Sequence, residues 1–360
     1  MLREIGSNFW LSPEDMGNSS KDRPEYPSAW QGAVDSVWLS TCRSAIKLVL
    51  SQCGVESRVA LVPAYTCETV IAPFVECGYQ LVYYEVNQEL MTTGKEIIRL
   101  LERSGASLFL FHHYFGFKTI SDIGSVIEYA KTHDIVTVED CTQSMYSDFD
   151  KSSSDYEVGS IRKWCGVPDG AYLVSRRNPI HGKPTSYDCE LEESMKEAEL
   201  AKYHYMVNWE GEKEHFLDLY RKAKQTLDHQ TKAYAISPLS LSLQMNLDKD
   251  HLKRQRRANF SHLLSRSSWS RSIYPIFRDL PEGVVPLYFP IWVANRLGLQ
   301  SHLAALATYC PIIWPKPSVC PHFGISTESL YDHMLCIPID QRYGLEEMEY
   351  IVQNINDYEC

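Results

Sequence analysis

The sequence has no Cys-x-x-Cys pair, no glycine-rich phosphate loop, and no apolar run near the roughly 20 residues that cross a bilayer. Its 11 cysteines are odd in number and irregularly spaced, which gives neither a disulfide framework nor a zinc knuckle and fits a reducing cytosol. Neither G-x-G-x-x-G nor G-x-x-x-x-G-K-[S/T] occurs, so dinucleotide and P-loop readings lack their phosphate cradle. The N-terminus, Met1 to Ser7, has no apolar core region, so a soluble, cytoplasmic protein without a classical export signal is expected. Positive charge is also short. Lys plus Arg number 35 against 46 Asp plus Glu, and the net charge of −11 disfavours nucleic-acid backbones and anionic membranes as partners.

What remains is a globular composition, 44% hydrophobic and 22% charged, over 360 residues, long enough for two closely packed domains. Helical and strand patterns alternate through the first half. A helix over 42–53 precedes the strand Val59–Val62, a helix over 68–77 precedes Leu81–Tyr84, and a helix near 94–104 precedes a strand over 107–112. A helix over 121–133, with Ser121 and Asp122 as caps, precedes the apolar strand Ile135–Glu139, and Ala171–Val174 forms another. This order predicts an α/β fold with a mostly parallel sheet covered by helices on both faces. A polar helical stretch over 188–235 reads as an insertion. One long helix rich in Arg and Lys is expected over 238–265, then a strand near 286–293, a helix over 297–309, a strand over 335–339 and a last helix over 344–356. The expected division is a large domain over 1–248 and a small C-terminal α+β domain over 249–360.

Ligands on open parallel sheets bind beyond the carboxyl ends of the strands, and Asp140 stands there, followed by Cys141, Thr142 and Gln143. Taken alone, Asp140 fits a cap of the next turn equally well. Lys163 follows between two sheet segments, flanked by Trp164 and the turn Gly166–Gly170. A desolvated lysine there would have the lowered pKa that carbonyl chemistry needs, although a surface turn lysine is the commoner case. Ser160-x-x-Lys163 also matches the S-x-x-K of serine acyl-enzymes, but no K-T-G occurs. His112 and His113 make a poor metal pair, because adjacent strand residues point to opposite faces. Lys253, Arg254, Arg256 and Arg257 read as a solvated helix face, with a diphosphate-holding role as the minority reading.

Six segments in order resemble the DegT/DnrJ/EryC1/StrS sugar aminotransferases, a pyridoxal-phosphate family of fold type I. Leu39–Ile46 is similar to the family's Ser-Gly-x-x-Ala-Leu helix start, and Val62–Cys67 with Thr69–Val70 to its Pro-x-x-Thr segment. His113–Gly116 resembles its His-x-Tyr-Gly turn and Val138–Ser144 its Glu-Asp-x-x-Gln. Ser160–Lys163 with Pro168–Gly170 resembles the lysine motif of one branch, and Phe289–Ile291, Asn295–Arg296 and Trp314–Pro315 resemble small-domain signatures.

The resemblance implies pyridoxal 5'-phosphate as cofactor, Lys163 as the amine that binds its aldehyde and later moves a proton, and Asp140 as the acid facing its ring nitrogen. It places the phosphate at the start of the 42–53 helix, near Arg43, Ser44 and Ser160, and brings Gln143 to the ring hydroxyl or against the acid. The chain also departs from the family. Cys42 replaces a usual glycine, and Cys67 stands where many members place a ring over the cofactor, so stacking is expected from Tyr65 or Tyr114. The asparagine that reaches the partner's phosphate would fall near Ala233. The implied activity is amino transfer from an amino acid, glutamate first, to a keto sugar nucleotide in aminosugar, surface-polysaccharide or secondary-metabolite biosynthesis, by a homodimer. The alternatives are a non-nucleotide ketone such as a cyclitol and a non-catalytic binding protein. Lys163 argues against the related dehydratases, which carry histidine there. Tyr203, Tyr205 and Trp209 of the insertion are candidates to close over a sugar or base.

Overall fold

The computed structural model describes residues 3–17, 32–55, 57–148, 153–230, 232–266 and 269–359. Met1, Leu2 and Cys360 of the sequence analysis lie outside them.

A seven-stranded sheet forms the centre of the large domain, built from β1 (Asp35–Leu39), β2 (Val59–Pro63), β3 (Gln80–Tyr84), β4 (Leu108–His112), β5 (Val136–Asp140), β6 (Tyr156–Ser160) and β7 (Ala171–Ser175). The spatial order is β1-β7-β6-β5-β4-β2-β3. β3, β2, β4, β5 and β6 run parallel, and β7 is antiparallel to both β6 and β1. β4 and β5 are buried along their whole length, as expected of central parallel strands covered on both faces. Alternation along β4 sends Leu108 and Leu110 into one core and Phe109 and Phe111 into the other.

α1 (Cys42–Gln52), α2 (Glu68–Glu76), α3 (Gly94–Ser104) and α4 (Ile123–Thr132) supply the covering layers. α1 buries Ile46, Val49 and Leu50 on the sheet, as its spacing predicts. Thr41 caps it by accepting the Ser44 N–H at 3.2 Å, and no acidic residue occupies its first turn. That end of the helix therefore keeps its partial positive charge.

The sequence reading missed β1, β6 and the small-domain strand Ile273–Pro275. β1 and β6 carry polar or glycine residues that mask a β pattern, Ile273–Pro275 is only three residues long and ends on proline, and the pairing of β1 and β6 is decided by neighbours distant in sequence. The single helix expected over 238–265 is two, α7 (Pro238–Asn246) and α8 (Lys249–Arg266), because Leu247 takes an extended conformation, φ −62° and ψ 123°. The 188–235 stretch folds as α5 (Cys189–Tyr203) and α6 (Lys213–Asp228), joined through a π-helical turn over His204–Asn208. The two helices pack on each other around Leu191, Met195, Tyr205 and Phe216.

The small domain has a three-stranded antiparallel sheet, Ile273–Pro275, Phe289–Val293 and Met334–Ile337, packed with α8 and the helices Arg296–Ala305, Ile325–His333 and Leu345–Glu359. The N-terminal strand Ile5–Gly6 pairs in parallel with Thr308–Tyr309, and Ile5 lies in the small-domain core. The first described residues therefore pack with the C-terminal half of the chain.

Arg256 departs from the solvated-face reading. It is 1% exposed, donates to the Leu287 carbonyl at 2.8 Å and to Gln341 at 3.0 Å, and lies 4.7 Å over the Trp164 ring. Arg257 bonds the Pro281 carbonyl at 2.9 Å, and Lys253 pairs with Asp148 at 2.9 Å. The basic run joins α8 to both domains, because its long stems reach carbonyls left open by the irregular 281–287 segment.

Candidate active site

The carboxyl ends of β4, β5 and β6 open into a cleft of about 1210 Å³ between the large domain, the α5–α6 pair and the small domain. Asp140, the last residue of β5, is 4% exposed on the cleft wall and lies in register with His112 of β4. Its Oδ1 accepts the Thr142 N–H at 2.9 Å, so Asp140 does cap the next turn, and the same carboxyl also faces the cleft. Burial pushes it above the ordinary carboxylate range, opposed by the two Thr142 bonds and by the Lys163 charge.

Lys163 ends the 3₁₀ turn Ile161–Lys163 that follows β6. Its side chain is open to the cleft but ringed by protein, and this desolvation lowers its pKa. Arg162 pushes in the same direction, while Cys67, Cys42 and Asp140 pull the other way. The result is an amine nearer its neutral, nucleophilic form. The turn is held from three sides. Ile161 N bonds the Gly170 carbonyl at 3.2 Å, and the Trp164 indole donates to the Thr142 carbonyl at 2.7 Å. Thr142 Oγ1 accepts the Ser160 N–H at 3.1 Å. Gly170 has φ +135° and a Cβ there would come within 2.4 Å of Ile161, so this position needs glycine.

The remaining expected residues divide. Arg43, Cys67, Gln143 and Ser160 line the cleft with Asp140 and Lys163. Gln143 Oε1 accepts the Phe115 N–H at 2.7 Å, which fixes the amide beside the acid. Arg43 donates to the Leu227 carbonyl at 3.0 Å, tying α1 to the end of α6. Ser44 is buried with its hydroxyl 2.8 Å from Thr41 Oγ1, so it serves the cap and does not border the cleft. Cys67 is the N-cap residue of α2, with its Sγ 3.1 Å from Thr69 Oγ1.

Tyr65 and Tyr114, expected to stack, are 2% and 1% exposed and sit behind the wall. The Tyr114 hydroxyl donates to the Tyr65 carbonyl at 2.7 Å. Among the rings that border the cleft, His112 and Trp314 lie with centroids 5.4 Å apart. His112 is buried and held down to about 4 by desolvation, so it is neutral near pH 7, and its Nε2 has no hydrogen-bond partner among the described residues. Tyr203, Tyr205 and Trp209 do not border the cleft. Arg3 lies 3.8 Å over Tyr205 and 5.3 Å from Trp209. The insertion instead borders the cleft through Met195 and Glu199 of α5 and through Lys213, Tyr220, Arg221 and Lys224 of α6. Sequence reasoning also missed Thr142, Arg162 and His112. Two of these adjoin singled-out residues, and His112 was weighed only as a metal ligand. Among the described residues no cluster suits a metal ion, and no helix is long and apolar enough to cross a membrane.

The donor set fits pyridoxal phosphate. It offers a lysine for the aldehyde, a buried acid for a cationic ring nitrogen, and an uncompensated helix N-terminus with Ser160 for the phosphate.

Residues 16–164 match the sequence profile of the DegT/DnrJ/EryC1/StrS aminotransferase family. No curated protein matches the sequence. Among solved structures, the fold is similar to Helicobacter pylori PseC, an aminotransferase involved in the biosynthesis of pseudoaminic acid, at 13% identity and a TM-score of 0.71 over 99% of both chains. It is also similar to S. venezuelae DesV, at 16% identity and 0.68 over 96% of this chain and 91% of that one. NtdA from Bacillus subtilis, solved with bound cofactor PMP, matches at 16% identity and 0.63 over 91% and 73% of the two chains.

Proposed function

We propose that this chain is a pyridoxal-phosphate-dependent aminotransferase of the DegT/DnrJ/EryC1/StrS family, with the fold type I architecture, and that it aminates a keto sugar carried on a nucleoside diphosphate. The donor is an amino acid, glutamate first. The observation that carries the reading is the convergence of Lys163 and Asp140, from adjacent strand ends, on one cleft.

Pyridoxal phosphate, when bound, supplies the electron sink for carbanion chemistry. Lys163 would hold its aldehyde and, as a neutral amine, would move the proton at the reacting carbon. Asp140 would keep a proton on the ring nitrogen. The first turn of α1, with Ser160, would take the phosphate. His112 and Trp314 present flat faces that exclude water. Lys213, Arg221 and Lys224 on the cleft face of α6 favour an anionic acceptor; their present partners, Glu4, Asp218 and Asp228, form pairs that are largely exposed at Arg221 and Lys224 and readily exchanged. The working unit is a homodimer in the cytoplasm, as in the resemblance.

Borohydride reduction followed by peptide mapping tests the site, and the pyridoxyl mass is expected on Lys163. A label on another lysine overturns the assignment. Incubation with glutamate and candidate keto-sugar nucleotides, read by mass spectrometry, tests the substrate class, and the apparent affinity of a diphosphate acceptor should weaken as salt rises. Turnover of un-nucleotidylated ketones alone, without salt effect, would replace the nucleotide-sugar reading with the smaller-ketone one. Equilibrium sedimentation of an active monomer would remove the homodimer.

A further inference from the structure

Arg162 is adjacent to Lys163 in sequence, with Cα atoms about 3.8 Å apart. Arg162 lines the cleft, and its guanidinium makes no hydrogen bond or ion pair with any described residue. The groups around it are Glu199, Asp169, Tyr220 and Asp228, and none of them neutralises it by contact. Asp169 is occupied by Ser237, whose N–H and hydroxyl lie at 3.1 and 2.8 Å. Asp228 pairs with Lys224. Glu199 is 4% exposed, its Oε2 has no partner among the described residues, and burial pushes it up to about 8, so it carries its proton at neutral pH. A guanidinium has five donors and does not give up its charge, so one left unpaired in a protein wall awaits an anion.

Two anions could reach the cleft: a carboxylate on the amino donor and a diphosphate on the acceptor. Position separates them. Arg162 and Lys163 follow one another on the same 3₁₀ turn and both line the cleft, and, after burial, the Arg162 charge also pushes the Lys163 amine down. The donor's α-carboxylate is bonded to the carbon whose amine is transferred, whereas the acceptor's diphosphate is removed from the reacting carbonyl by a sugar ring. The planar fork of Arg162 also matches a carboxylate in bidentate fashion. We infer that Arg162 is the receptor for the α-carboxylate of the amino donor. This assignment rests on the aminotransferase reading given above.

The test uses the holoenzyme and 2-methylglutamate, which keeps the amine and both carboxylates but has no proton to lose at the reacting carbon. Its binding is followed by the visible absorbance of the cofactor. In R162Q its dissociation constant should rise ten- to a hundredfold, the scale of a lost charge-assisted pair. The acceptor KM should stay within about threefold of wild type. 4-Aminobutyrate, which lacks the carboxylate on the reacting carbon, should bind equally weakly to both proteins. R162K keeps the charge without the fork and should show an intermediate loss; it carries the test if R162Q does not fold. An unchanged dissociation constant for 2-methylglutamate overturns the inference. So does a loss confined to the nucleotide-sugar acceptor and to competition by free nucleoside diphosphate, because the anion would then be a phosphate. Wild-type protein that takes no pyridoxyl label on Lys163 removes the aminotransferase site and this inference together. Labelled wild type with an unshifted donor in R162Q removes the inference alone.

Discussion

The Trp164 indole N–H donates to the Thr142 carbonyl at 2.7 Å, and this bond ties the turn that carries Lys163 to the turn that carries Asp140. Trp164 is fully buried, stacked beneath Arg256 and edge-on to Tyr146 at 5.0 Å. The distance between the acid and the amine is thus set by a tryptophan that does not itself line the cleft.

Trp164→Phe keeps the ring packing but leaves the Thr142 carbonyl without its donor. Stability should fall by about 1–3 kcal/mol. Amino transfer should fall further than the amount of cofactor bound, because the two turns lose their common tether. Thermal unfolding and single-turnover rates read the two effects, and a variant with wild-type rates would show that the tether does not set the geometry.

Asp140→Asn is nearly isosteric and keeps an acceptor oxygen for the Thr142 N–H, so cofactor binding should survive. It removes the negative charge that, on the proposed function, would hold a proton on the ring nitrogen, and amino transfer should fall at least about a hundredfold, in keeping with a lost electrostatic stabiliser. Turnover close to wild type takes Asp140 out of the mechanism.

Glu199 is held up to about 8 from an ordinary value of 4.5 by burial. Between those values the folded chain keeps a proton that the unfolded chain has lost, so this group's stabilising contribution is present below pH 4.5 and disappears as pH rises to 8. Glu199→Gln should match wild type near pH 5 and exceed it at pH 8 by about 2–4 kcal/mol. Chemical denaturation at the two values decides it; a constant difference across the range would mean that Glu199 does not titrate in this window.

Arg256→Ala should cost about 2–4 kcal/mol, since it strips a donor from the Leu287 carbonyl and leaves the Trp164 ring uncovered in a buried junction. A solvated helix face would lose less than about 0.5 kcal/mol. Denaturant titration of the variant separates the two cases.

The parallel strands and the helices between them were legible in the sequence because apolar runs such as Leu108–Phe111 and Val136–Val138 read as buried strands wherever they occur, and their terminal positions put Asp140 at a carboxyl end. Lys163 was legible as a lysine before a glycine- and proline-rich turn. β1 and β6 were not, since Asp35, Ser36, Glu157 and Gly159 hide them among loop residues until pairing with β7 satisfies their backbone groups.

From the sequence alone came the α/β class, the place of Asp140 at a strand end and that of Lys163 before a glycine- and proline-rich turn, because hydrophobic periodicity and turn chemistry are local. Only the tertiary structure decided which rings face the cleft, that Ser44 serves the Thr41 cap, that Arg256 is buried, and that Arg162, beside Lys163, has no partner among the described residues. Each of those depends on which distant segment fills the space around a side chain: Trp314 for His112, the 281–287 carbonyls for the basic run of α8, and Ser237 taking up the acid that could have paired with Arg162. Burial and pairing are properties of that company, and no window of neighbouring residues contains it.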